Sequence, residues 1–456
     1  MESTVPVAID EVAAFGYKQE LKRSLGLFDL LAYGLVFITP IAPVAVFGIV
    51  FNASDGMVPL VYVIGLVAMV FIALSYMAMA DAFPVAGSVY AYAARSLGPA
   101  FGFLAGWAIL LDYLLIPTLA YVVSAIAIAS VYPQISKPLC VVVMVVIATV
   151  INYLGIETTA RTSFVLLAFQ IVVLGYFGVA GWQGIAHHLG GAHLSLAPFY
   201  NPALLTPGLV FGALSLAVLS FLGFDAISTL SEESRHGSGA IGRATMLSLC
   251  LSALLFVAQT WIACLFLSNR TSLAAGDATN NAFYDVSALI GGPSLKYLLA
   301  VPGVFLSSLA GAVTAQAATA RLLFGMARDG RLPSALAHVD PERKVPTRTI
   351  LLVAGITLVT GVFLSDRLEL LTSMVSFGAL LGFLMLQVSV VAHFVWRKKS
   401  RKWLQHLIAP AIGFAIIAYV LFNAEPNAKI AGGVWMTCGV IALIVFKLLR
   451  RPAAPI

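Results

Sequence analysis

Charge is what this chain has least of. Only 10% of its 456 residues are Asp, Glu, Lys or Arg, and 61% are hydrophobic. A soluble domain of this size has too few charges here to cover its surface, so the chain reads as a polytopic membrane protein. Cysteine is also scarce. Cys140, Cys250, Cys264 and Cys438 all lie in or near apolar runs, and none forms a CxxC pair. That spacing points to buried, inert thiols rather than a disulfide framework or a redox centre. HExxH, GxSxG and P-loop patterns are absent, so the sequence offers no hydrolytic constellation and no nucleotide site, and no enzyme is expected. No cofactor or metal set is indicated. His187, His188 and His193 share one loop, but three histidines in a loop are more often without a specific role than metal-binding. The net charge of +6 lacks the aromatic-interleaved basic patch that nucleic-acid binding requires.

What is present is a succession of long apolar runs. A span needs about 20 apolar residues. Twelve candidates fall at about 26–51, 58–82, 103–130, 138–155, 163–183, 208–231, 245–267, 295–318, 349–365, 370–395, 406–423 and 430–449. Residues 1–25 form a mixed leading segment with no cleavable signal visible, and 450–456 a short basic tail. The connectors set the orientation. Of the 26 Lys and Arg, five (Lys137, Arg270, Lys296, Arg367 and Lys429) fall on one side and the remaining 21 on the other, so both termini are expected in the cytoplasm. The segment 83–107 is rich in small residues and predicts a short helix at the cytoplasmic face. After the eighth span the chain is expected to stay helical through 318–330 and to stop at Gly330 and Pro333. Asn52-Ala53-Ser54 and Asn269-Arg270-Thr271 have the form of glycosylation sequons on the outer side.

Two runs are interrupted. In the sixth, Gly223, Phe224 and Asp225 fall inside an apolar helix, which then ends on Glu232 and Glu233. In the first, Thr39, Pro40, Ile41, Ala42 and Pro43 divide the run, and each proline removes a backbone donor. The interruptions lie five spans apart, so the two spans run in opposite directions. Breaks at matching places in two such halves are the pattern of an inverted-repeat transporter, with repeats at about 26–183 and 208–395. Backbone groups freed at the breaks, with Phe221 and Phe224 beside them, make Thr39, Pro40, Ile41, Ala42 and Gly223 candidates for the substrate site.

Asp225 lies 14–17 residues into its run, about 20–25 Å along a helix that rises 1.5 Å per residue. An acid at that depth is a functional-site candidate, as counter-ion or proton carrier. A cap for the second half-helix is the structural alternative. Asp112, beside Tyr113 in the third run, is a second deep acid, suited to an ammonium through charge and cation–π contact, or else a structural acid held by neighbouring hydroxyls. No Lys or Arg falls at mid-span depth, which favours a positively charged substrate. Glu232 and Glu233, with Arg95, are read as a cytoplasmic gating network in which loop arginines pair with the acids. Ser307, Ser308 and Thr314 offer oxygens in the eighth run, a weaker indication of sodium coupling.

The segments FPVAGSVYAYA at 83–93, GFLAGW at 102–107, FLGFDAISTLSEE at 221–233 and ARDGRLP at 327–333 resemble bacterial permeases of the amino acid–polyamine–organocation superfamily. LLDYLLIP at 110–117 and SFGALLGF at 376–383 are similar to its putrescine importer subgroup. The resemblance implies an all-α integral membrane fold of two inverted five-helix repeats, with two extra helices at 404–449. It also implies a central site between spans one, three, six and eight, and import across the bacterial inner membrane coupled to protons. It supports Asp225, Asp112 and Tyr113 as site residues. One position departs from the subgroup. An acid is expected shortly before the pair matched by Phe47-Gly48, where this chain has Val44 and Ala45. The expected substrate is thus an amine, putrescine-like or other, or an amino acid. An exchanger of the same fold and a non-transporting sensor are the rival readings.

Overall fold

The computed structural model describes residues 23–85, 88–131, 134–154, 156–235, 238–268, 270–274, 277–300, 304–365, 368–423 and 426–449. Among these it is helical, with one isolated β-bridge between Leu25 and Ser234. The helices are α1 (Leu27–Ile38), α2 (Ala42–Ala53), α3 (Val58–Ala82), α4 (Ser88–Ser96), α5 (Pro99–Val131), α6 (Lys137–Tyr153), α7 (Ile156–Ala186) and α8 (Pro207–Ala217). The second half holds α9 (Ser238–Leu265), α10 (Asp277–Asn280), α11 (Ala282–Leu298), α12 (Val304–Arg328), α13 (Thr347–Phe363), α14 (Leu368–Val390), α15 (Ala409–Phe422) and α16 (Pro426–Leu449).

Six helices among the described residues are long and apolar enough to cross a membrane, and eight if each bent pair is one span. One bent pair is α1 with α2, at 44°; the other is α8 with the stretch after it, at 45°. α6, α13 and part of α16 are shorter apolar helices. The long helices pack in a core where α3 lies along α9, and α5 between α12 and α14.

Both interruptions expected from the sequence are breaks in the fold. Thr39 closes α1 at φ 61°, and Pro40 and Ile41 form a turn before α2 starts. Pro43 does not contribute to the break as the sequence suggested. It sits in the first turn of α2, where a missing N–H leaves nothing unpaired. In the sixth run α8 ends at Ala217, a 3₁₀ turn covers Val218–Phe221, and Gly223 adopts φ 114°. A ten-residue 3₁₀ segment, Phe224–Glu233, follows with every residue buried. Such segments rarely exceed 3–4 residues and mark hinges when they interrupt a helix. A Cβ on Gly223 would lie 2.0 Å from Phe37 Cδ1, so glycine also permits the close approach of α1.

In the eighth run, Gly291 and Gly292 leave helical geometry ahead of Pro293, and helix continues beyond them through Leu298. Residues 301–303 lie outside the described residues, and α12 covers Val304–Arg328. α12 also carries buried Thr314, Gln316, Thr319 and Arg321, which suit a helix surrounded by protein rather than lipid. The helix does persist to Arg328, and Gly330 follows at φ 65°. The short helix expected within 83–107 is α4, and residues from Pro99 onward already belong to α5.

Candidate functional site

The break at Gly223 delivers Asp225 into the protein interior, where it is 0% exposed. Its Oδ2 accepts from Tyr113 Oη on α5 at 2.5 Å and from Tyr76 Oη on α3 at 3.4 Å. Its Oδ1 is buried without a hydrogen-bond partner. The N-cap position is Gly223, and the Asp225 carboxylate also lies against the backbone N–H groups of Gly223 and of Asp225 itself. Aromatic rings enclose the acid. Phe37 and Tyr113 lie 6.3 Å apart between ring centres, and Phe224 packs edge-on to Tyr76 at 6.0 Å and against Phe383 at 5.8 Å. Phe221 faces Tyr62 and Phe256.

Asp112 is 1% exposed and close enough to Asp225 for the two charges to interact. Its Oδ1 is likewise buried and unpaired. A Cβ on Gly378 of α14 would lie 2.7 Å from the Asp112 nitrogen, so that glycine lets α14 close directly on this turn of α5. Thr319 Oγ1 on α12 donates to the Tyr113 carbonyl at 2.6 Å and ties α12 to the same turn.

At the other break, the Pro40 carbonyl accepts from Gln259 Nε2 on α9 at 2.8 Å. The same amide donates to Leu255 O at 3.0 Å. Because both partners are carbonyls, the nitrogen must face them, and Gln259 Oε1 is left buried and unpaired. Thr39 Oγ1 donates to Val36 O at 3.1 Å. Ile41 is buried and Ala42 half-buried.

Glu232 and Glu233 end the 3₁₀ segment in two ion pairs, one part-buried and one buried. Glu232 takes two bonds from Arg328, at 2.9 and 2.6 Å. Glu233 accepts from Arg321 Nε and from Arg321 Nη2, the latter at 3.1 Å. Both arginines belong to α12 rather than to loops. The Glu233 carbonyl also accepts from the Ser24 and Leu25 nitrogens at 3.1 and 3.0 Å, and Arg235 N donates back to Leu25 O at 2.9 Å. The chain ahead of α1 is thereby fastened to the end of the sixth run. Arg95 lies over the Phe83 ring at 6.0 Å, and its carbonyl accepts from Arg397.

Asn52 Nδ2 is engaged by Leu273 O and Thr279 Oγ1, each at 3.1 Å, so this sequon holds down the segment before α10. Asn269 lies outside the described residues. His188 and His193 each make a local contact to a backbone carbonyl. Among the described residues no three His, Cys, Asp or Glu side chains are grouped to hold a metal.

The structure thus joins Asp225, Tyr113, Asp112, Gly223 and Phe224 in one region. Sequence reasoning missed Tyr76, Gln259, Arg321 and Arg328. Gln259 was visible as the one amide in an otherwise apolar run, and Arg321 as a cation well before the end of a helix. A tyrosine in an apolar helix gives no such signal.

Comparison with known proteins identifies the family. Residues 41–446 match the family described as Amino acid permease. The chain is 30% identical over 445 residues to the low-affinity putrescine importer PlaP of Escherichia coli (strain K12), covering 95% of this chain and 96% of that protein. It is 26% identical to the branched-chain amino acid permease BcaP of Bacillus subtilis (strain 168), covering 96% of each. It is 23% identical to the methylthioribose transporter of the same organism, again over 96% of each. These relatives are transporters rather than enzymes. The chain belongs to the amino acid permease family, within the amino acid–polyamine–organocation superfamily of multi-pass membrane transporters.

Proposed function

We propose that this protein imports an amine or amino acid across the bacterial inner membrane by alternating access, coupled to protons. The observation that carries the reading is the buried pair Asp225 and Asp112, with Tyr113 on Asp225 and both nearby arginines of α12 already engaged by Glu232 and Glu233. A substrate ammonium is the group that such a site lacks. In this reading twelve helices cross the membrane in two inverted repeats plus two, and both termini are cytoplasmic. Substrate enters from outside, its ammonium meets Asp225, and freed carbonyls at Thr39–Ala42 and Gly223 complete the contacts. Tyr113 and Phe224 cover it. The pairs at Glu232 and Glu233 close the cytoplasmic side, with Arg95 at that face. A proton carried by a deep carboxylate couples the cycle to the gradient. The relatives act on putrescine, branched-chain amino acids and methylthioribose, so the family resemblance leaves amine and amino acid substrates both in play.

The test is uptake of labelled putrescine and a panel of amino acids into proteoliposomes, with and without an imposed proton gradient. Accumulation should require the gradient and be blocked by at least one amine or amino acid. Asp225→Asn should abolish uptake while the protein stays folded in the membrane. Parental uptake by that variant rules out the counter-ion role.

A further inference from the structure

Between α14 and α15 the chain carries five cations in six positions: Arg397, Lys398, Lys399, Arg401 and Lys402, all exposed. The helices long and apolar enough to cross a membrane on either side are Met374–Arg397 and Leu404–Phe422, so residues 398–403 are all that joins them. A connector that short cannot leave the bilayer surface. At no more than about 3.6 Å per extended residue, and with both ends held, its middle reaches about 11 Å from the span ends. Its charges therefore sit at the depth of lipid headgroups. Trp396 and Trp403 stand at its two ends, 67% and 56% exposed, with Leu404 beside them at 70%. Tryptophan favours that same headgroup level.

The connector is pinned in place. Lys398 N donates to His393 O at 3.0 Å, and Ser400 N to Phe394 O at 2.8 Å. The His406 ring stacks on Phe394 with centres 4.0 Å apart, and its Nδ1 pairs with Ser400 Oγ at 2.8 Å. Lys399 turns the chain at φ 48°, a backbone region that favours glycine. Arg397 Nη1 donates to the Arg95 carbonyl in the last turn of α4 at 2.6 Å. Lys398, Lys399, Arg401 and Lys402 have no acidic partner among the described residues. No Asp or Glu occurs in the sequence between Glu369 and Glu425. The basic stretch at the end of α12 and beyond differs, because Arg328 pairs with Glu232 and Arg343 with Asp340. There the charge is met from within the protein.

We propose that residues 396–404 form a binding site for the headgroups of anionic phospholipids. Lys398, Lys399, Arg401 and Lys402 meet the lipid phosphates, and Trp396 and Trp403 seat the connector at the interface. The site requires that the chain lie in a membrane, as its family does, and is independent of the substrate and of proton coupling. Four or more cations immediately beside a span attract acidic lipid. Setting the orientation of the spans needs only that cations lie near their ends. It does not need them on a pinned turn between two exposed tryptophans, with every acid excluded.

The experiment uses the purified full chain in nanodiscs of phosphatidylcholine, whose two leaflets are alike, so orientation has no effect. Part of the lipid is replaced by brominated phosphatidylglycerol or, in parallel, by brominated phosphatidylcholine, and tryptophan fluorescence is followed. The acidic lipid should quench more than the neutral one at equal fraction. High salt should shrink that excess in the parent itself, where no variant has to fold. Trp396→Phe with Trp403→Phe should remove it. Replacing Lys398, Lys399, Arg401 and Lys402 together by glutamine should lower it about fivefold or more, whereas arginine at the three lysines should keep it. Equal quenching by the two lipids in the parent overturns the proposal. So does an excess that survives high salt, the loss of both tryptophans or the loss of the four charges.

Discussion

In the proposed cycle, Glu233 and Arg321 make the sharpest energetic test of how the cytoplasmic end is held shut. Their side chains are 2% and 4% exposed, so neither charge has water to fall back on in this arrangement. Removing one partner of such a pair leaves the other charge buried and uncompensated, at a cost of about 3–5 kcal/mol. Opening that end would let Arg321 reach water and escape the cost. Glu233→Gln should therefore shift the closed–open balance toward open by about two to three and a half powers of ten, taking about 1.4 kcal/mol per tenfold. Arg328, paired with Glu232, is 13% exposed and already part-hydrated, so Glu232→Gln should shift the balance less. The readout is thiol labelling of Ser24→Cys in a background whose four cysteines are replaced. Ser24 is 5% exposed and is pinned to the Glu233 carbonyl, so its labelling reports release of the leading segment. Glu233→Gln should speed labelling strongly and Glu232→Gln modestly. Glu233→Leu with Arg321→Leu should return the rate toward the parent, because no charge is left stranded. Unchanged labelling in Glu233→Gln, or no recovery in the double variant, refutes the reasoning.

Three further outcomes follow from the two breaks. Gly223→Ala should cost about 1–2 kcal/mol for its left-handed backbone and about 1–3 more for the clash with Phe37, seen as earlier thermal unfolding and lost uptake. Adding Phe37→Ala should recover part of the stability. Gln259→Leu strands the Pro40 carbonyl but also deletes the unpaired Oε1, so the loss should sit near the low end of the ~1–3 kcal/mol for a stranded buried acceptor, read by thermal unfolding. Val44, one of the two residues (with Ala45) where the resemblance to the putrescine subgroup implies an acid, is 2% exposed at the start of α2. Val44→Asp should lower stability without ligand. It should also favour a diamine over a monoamine about tenfold or more in competition, the worth of a charge-assisted hydrogen bond.

The breaks were legible because each breaks a rule that the rest of its run obeys. Gly223-Phe224-Asp225 places a flexible backbone and a charge where the neighbours are Leu, Ser and Phe, and Thr39-Pro40 removes a donor inside an otherwise regular helix. Asp112 and Asp225 stood out because charge is so rare in the chain. What was not legible was which side chains meet them. Tyr76 looks like any aromatic in an apolar helix until α3 places it beside Asp225. The partners of Glu232 and Glu233 were sought in loops because arginine inside a helix is expensive in lipid. α12 escapes that cost by being surrounded by protein, which a hydropathy profile does not record.

In the proposed cycle, the segment Phe224–Glu233 joins site and closure in one device. Asp225 lies in its first turn and Glu233 ends it eight residues on, about 16 Å at the 3₁₀ rise of 2.0 Å per residue. In that reading a short segment with a glycine pivot at one end and two ion pairs at the other passes movement from one end to the other. A ligand that changes how Asp225 sits against Tyr113 and Tyr76 must also tilt Glu232 and Glu233 against Arg328 and Arg321. Those pairs in turn hold the leading segment through the Glu233 carbonyl. Local 3₁₀ geometry is weaker than α-helix, so the segment is a poor element to build for stability alone. Its place between a buried acid and a buried gate gives that weakness a use: little backbone energy opposes the tilt, and the charges at the two ends decide it.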